Sequence, residues 1–139
     1  MSATAKLYTP QVLALATALA DFPLDSGLAL RGNARSPVCG SAIDMGLDLD
    51  GEGRISALGM KVHACAIGQA AAALFAQSAA GKSRQDISRA EQQIADWLRD
   101  GAAVLPEWPG LEVLEAARNY PARHGAILLP WKAALATLP

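Results

Sequence analysis

Between positions 43 and 50 apolar and polar residues alternate without a break: Ile43, Met45, Leu47 and Leu49 are separated by Asp44, Gly46 and Asp48, with Asp50 closing the run. Successive side chains of a strand point to opposite faces, so this pattern reads as a strand with one buried and one wet face. Asp50-Gly51-Glu52-Gly53 supplies turn chemistry directly after it. A second strand is expected from about Arg54 to His63, with Leu58, Met60 and Val62 on one side. The rest of the chain must arrange itself around this hairpin. A further strand around 28–35 would complete a three-stranded antiparallel sheet, its limits blurred by Gly32-Asn33 and Ser36-Pro37.

The flanking segments read as helices. Thr9-Pro10 is a cap followed by a first-turn proline, Val12, Leu15 and Leu19 recur at helical spacing, and Asp21-Phe22-Pro23 closes the element. Lys6 ahead of this apolar run, and Ala18-Leu19-Ala20 within it, imitate a secretory signal. A true signal has a more strongly charged start, and the run is too short to span a bilayer, so the helical reading is preferred. Beyond the hairpin, residues 66–80 are rich in alanine, with Ile67, Leu74 and Phe75 as bulky members, and stop at Gly81-Lys82. Ser83 followed three positions later by Asp86 opens another helix, whose buried stripe is Ile87, Ile94, Trp97 and Leu98, ending before Gly101. Residues 106–110 form a loop, 111–118 a short helix ended by Asn119-Tyr120-Pro121, and a last helix begins near Leu129-Pro130, or kinks there, and runs to Leu138. The expected architecture is α+β: an N-terminal helix, three antiparallel strands, then about four helices packed on one face of the sheet. At 139 residues the chain reads as one domain over 1–139 with a core of its own.

Twelve basic and 13 acidic residues leave a formal charge of −1, and neither sign gathers into a stripe or tail. Nothing in this balance calls for nucleic acid or an anionic membrane as partner. Two cysteines are too few for a disulfide framework, which favours free thiols in a reducing cytoplasm. Cys39 stands at the turn entering the alternating strand, with Gly40 leaving space beside it. Cys65 stands where the second strand of the hairpin hands over to the alanine-rich helix. Folding the hairpin brings its two open ends together, so both thiols are expected at one end of the sheet. Cys65 also falls at a helix N-terminus, where unpaired backbone N–H groups favour negative charge. Small buried hydrophobes are the competing reading of both cysteines.

Four ordered segments, LYTPQVLALATALADF, SPVCGSAI, MKVHACAIGQAAAALFAQSAAGKS and NYPARHGAILLPWKAAL, resemble the IscU/SufU/NifU amino-terminal family of iron–sulfur cluster assembly scaffolds over nearly the whole chain. That family carries N-P-x-C-G-D before a strand, G-x-G-C-A-I-S at the start of a helix, and a third cysteine in an R-x-x-C-A-x-L-x-W-like segment. Cys39 matches its first cysteine and Cys65 its second. Two ligand-type positions depart from the pattern: Ser41 stands for the aspartate, and Ala126, aligned through Arg123 and Trp131, for the third cysteine. Gly125 precedes it where IscU-type members have histidine. Ser41 can hydrogen-bond but does not readily supply an anionic oxygen. His124 beside the gap could take up a ligand role, and His63 is a weaker candidate that shares a face with Cys65 only if strand geometry persists that far. Both histidines also read as surface or structural residues.

The resemblance implies a non-enzymatic scaffold that binds iron or a labile iron–sulfur cluster through Cys39 and Cys65, with zinc as a competing metal. It implies a cysteine desulfurase and cluster-acceptor proteins as partners. Four ligands are the norm for such metals, so a second copy of the chain could complete the set. The alternative is a degenerate relative that keeps the fold and docks on the assembly machinery without carrying a cluster. A thiol enzyme using Cys65 with His63 or His124 as base has no supporting motif.

Overall fold

The computed structural model describes residues 7–38, 40–101 and 103–139. Helix α1 (Pro10–Ala18) starts where Thr9 Oγ1 accepts a hydrogen bond from Val12 N at 3.2 Å and continues as a 3-10 turn, Leu19–Asp21. Then come β1 (Leu30–Arg35), β2 (Ala42–Leu49) and β3 (Ile55–His63), followed by α2 (Ala66–Ser78) and α3 (Arg84–Arg99). A 3-10 helix (Leu111–Asn119) leads into α4 (Pro121–Thr137). The α+β expectation holds, with the strands in the order β1-β2-β3, all antiparallel.

The alternating run does form the central strand. Ile43, Met45 and Leu47 pair with Val62, Met60 and Leu58 and are 2% exposed or less, forming the floor on which the helices pack. A register shift at Asp48/Leu49 sets Leu49 opposite Ile55 and so keeps Ile55 on the buried face. The opposite face is less wet than the alternation suggests. Gly46 is buried, because a Cβ there would lie 2.9 Å from Leu28 Cδ1 and 3.0 Å from Leu24 Cδ1. Leu28, expected in β1, instead ends the turn closed by its N–H on Asp25 O, and β1 begins two residues later.

Two helical expectations need correction. The segment from Leu111 is a 3-10 helix, entered through Gly110 at φ +90°. Of the two readings of the last helix, a start near Leu129-Pro130 is overturned: the helix starts at Pro121, eight residues earlier, and Pro130 lies inside it. Proline has no N–H, so Ala126 O loses its usual partner four residues on, yet residues 126, 127, 129–131, 133 and 134 are all buried and hold the helix in place.

α4 crosses β1 and β2, α2 leans on β3 and α4, α1 covers α2, and α3 packs outside α4. Gly32 permits the crossing, since a Cβ there would lie 2.9 Å from Thr137 Cα. The core between these layers is one continuous cluster. Phe75 stacks on Trp108 at 5.6 Å between ring centres, and Trp131 meets both edge-on at 5.5 and 5.3 Å. Trp108, in the expected loop, is a core residue whose Nε1–H donates to Leu74 O at 2.9 Å. No helix among the described residues is long and apolar enough to cross a membrane.

Candidate functional site

The two ends of the hairpin meet as its topology requires. Ala42 at the start of β2 pairs with Arg35 on one side and His63 on the other, so the β1–β2 turn lies beside the segment that carries Cys65 into α2. The described part of that turn is tight. Ser36 N–H donates to Ser41 O at 2.8 Å, Gly40 N–H donates to Ser36 O at 2.9 Å, and Gly40 takes φ +70°. Ser36 and Ser41 are both buried, whereas Val38 is 77% exposed. Cys39 itself, and with it the expected approach of its sulfur to that of Cys65, falls outside the described residues.

Cys65 is the N-cap of α2, in extended conformation (φ −66°, ψ 171°), with a free thiol, half-buried against the core. Its side chain makes no cap hydrogen bond, and its carbonyl accepts from Gln69 N at 2.9 Å as the helix begins. Strand geometry has ended by then. His63, the last residue of β3, is exposed on the outer face opposite Ala42, while Cys65 turns against the core. The chain direction changes between them, so spacing by two does not bring their side chains to one face.

The start of α4 closes the third side. A Cβ at Gly125 would collide with Ser36 Oγ, so the helix touches the β1–β2 turn through a residue without a side chain. Ala126, 1% exposed, faces the first turn of α2: a Cβ at Gly68 would stand 3.2 Å from Ala126 Cβ and 2.7 Å from Ala64 Cβ. His124 is half-buried, and its Nε2–H donates to Arg118 O at 3.0 Å, while Nδ1 has no hydrogen-bond partner among the described residues. The guanidinium of Arg123 lies over the Tyr8 ring, 5.8 Å from its centre, and ties this end of α4 to the N-terminal segment. Among the described residues no three of His, Cys, Asp and Glu stand close enough to share a metal ion.

Position 41, His63, Cys65 and Ala126 are thus gathered at one end of the sheet, by the β1–β2 turn, β3, the head of α2 and α4. Gly68 was not singled out from the sequence, and Ser36 and Gly125 were noted there for other reasons, although all three set the spacing at this end. Their signal was smallness beside a candidate ligand. The two carboxylates held below their ordinary range lie at the opposite end. The backbone N–H groups of Arg54 and Glu52 lower Asp50, and that of Ser83 lowers Asp86.

No known family profile matches the chain, and no curated protein matches it. Solved structures do. The N-terminal part of a nitrogen-fixing NifU-like protein from Brucella abortus superposes with a TM-score of 0.85 at 23% identity, covering 98% of this chain and 94% of that one. The chain has the fold of that NifU-like protein. A second match, described as an iron–sulfur cluster assembly scaffold protein for the SUF system from the thermophile Fervidobacterium islandicum AW-1, has a TM-score of 0.75 at 20% identity over 94% of this chain and 95% of that one. A third, a hypothetical protein, reaches 0.64 at 19% identity over 89% and 93%. The NifU- and SufU-like fold therefore extends over nearly the whole chain.

Proposed function

We propose that the chain is a divergent scaffold of the IscU/SufU/NifU type, which takes iron or a labile iron–sulfur cluster on Cys39 and Cys65 as cargo and hands it on. The observation that carries this reading is the pairing of Ala42 with His63, which sets the turn leading to position 39 beside the segment that delivers Cys65 to the head of α2. The fold shared with a protein described as an assembly scaffold supports it. Thiolates suit iron and zinc alike, and each thiol that binds gives up its proton, so uptake rises with pH. With Ser41 and Ala126 in place of ligand-type residues, a single copy offers fewer than the usual four ligands. His124 Nδ1, a second copy of the chain, or the recipient supplies the rest, and a loosely held cargo suits transfer more than storage. The partners in this reading are a cysteine desulfurase and cluster acceptors, the compartment is the reducing cytoplasm, and no catalytic residue is required.

Anaerobic reconstitution with iron and sulfide is the direct test, read by visible absorption and by analysis for both iron and zinc. The native chain should develop charge-transfer bands, and Cys39→Ser and Cys65→Ser should each abolish them together with the bound metal. Metal loading unchanged in either variant rejects the assignment. A native chain with neither bands nor metal points to the second reading, a docking relative without cargo. That reading is favoured by the packing of Ala126 towards Gly68 and by the engagement of His124 Nε2 with Arg118.

A further inference from the structure

At the opposite end of the sheet, a cavity of about 280 Å³ opens between the β2–β3 turn and the first half of α3. Three cations line it: Arg54, Lys82 and Arg89. The two arginines share one partner. Arg54 Nη1 lies 3.3 Å from Asp86 Oδ2 and Arg89 Nη1 lies 3.8 Å from Oδ1, while Lys82 Nζ is in no ion pair among the described residues and sits 5.5 Å from the centre of the Trp108 ring. Asp86 is committed further, since its Oδ2 also accepts from Ser83 N at 3.0 Å. The α3 terminus contributes little of its own, because the capping box consumes the amides of both Ser83 and Asp86. Glu107 adds one carboxylate to the lining, leaving three cations against two anions.

The arrangement is unbalanced in charge, and two of its cations are held in place. Arg54 is anchored by a 3.0 Å hydrogen bond to Gly81 O, and Lys82 is half-buried over a core tryptophan. A cation held against an aromatic face with no counter-ion keeps its remaining donors available. Two guanidinium groups that converge on the same carboxylate leave further N–H groups for an oxyanion arriving from solvent.

We propose that this cavity binds a multiply charged oxyanion, either inorganic phosphate or a small polycarboxylate, using Lys82, Arg89 and Arg54. The site is independent of the cysteine end, and its failure would leave the scaffold reading untouched. Amide and indole shifts of the chain, followed by NMR during titration with sodium phosphate and separately with sodium citrate against sodium chloride at equal ionic strength, test it. Saturable shifts centred on Gly81, Lys82 and the Trp108 indole are expected, and whichever anion binds more tightly identifies the source. Lys82→Gln should weaken binding about tenfold or more, the scale of one lost charged hydrogen bond. Arg89→Gln, at a side chain 64% exposed, should also weaken it while leaving thermal unfolding without anion unchanged, so a folding defect in the first variant would not conceal the answer. Shifts that chloride reproduces, that fail to saturate, or that survive both substitutions would overturn the proposal.

Discussion

Gly125 is the residue on which the cysteine end turns. Because a Cβ there meets Ser36 Oγ, Gly125→Ala must displace either α4 or the turn between β1 and β2. Overpacking of this kind costs about 1–3 kcal/mol. We expect that loss in the midpoint of urea unfolding, together with weaker iron uptake, although neither Gly125 nor Ser36 carries a ligand atom in the proposed site. An alanine variant as stable as the native chain would show that the contact yields. At this scale the sequence was informative where a residue's role depends on its own element: Cys65 falls at the strand-to-helix boundary, as its neighbours indicate. It was uninformative where the role depends on what comes across from elsewhere. Nothing next to His124 in the chain shows that Arg118 O receives its Nε2–H, and nothing next to Ala126 shows that Gly68 faces it.

Among the elements, α3 was the most readable, since Ser83-x-x-Asp86 and a well-spaced apolar stripe are local signals. The same box gives stability a pH dependence. The Ser83 backbone N–H, with a smaller contribution from the Arg54 charge, holds the Asp86 carboxyl below its ordinary value of 3.8. A group depressed in the folded state stabilises above its unfolded value, and that contribution is lost as pH falls through the lower folded value. Asp86→Asn should therefore lower stability at neutral pH and flatten the acid limb below about pH 4, as read from urea midpoints across the pH range. Asp50, lowered by the N–H groups of Arg54 and Glu52, acts with the same sign and should keep part of that limb in the variant. A limb as steep as the native one would contradict the assignment. α4 was the least readable element. Pro130 is a strong local breaker and drew the expected start to its own position, but burial along residues 126–134 outweighs the missing hydrogen bond.

On the scale of the whole molecule, one core serves every layer. Trp97, Trp108 and Trp131 are each 5% exposed or less and belong to the same cluster as the strand residues Met45 and Leu47. Denaturation should then be a single cooperative event: tryptophan fluorescence and far-ultraviolet circular dichroism should trace superimposable curves in urea. Two separated midpoints would split the chain into independent units. The cover over β3 has a further bearing on assembly. Phe22 O takes the Met60 N–H at 2.9 Å, and Pro23 O lies where a Cβ of Gly59 would be. This strap occupies the middle of the β3 rim, and Gly81 N–H and Lys82 O bond Ile55 at the start of the strand, so the place where another polypeptide would extend a sheet is taken. Copies of this chain that join forces over shared iron would not do so by continuing the β-ladder past β3, where the protein's own backbone is in the way.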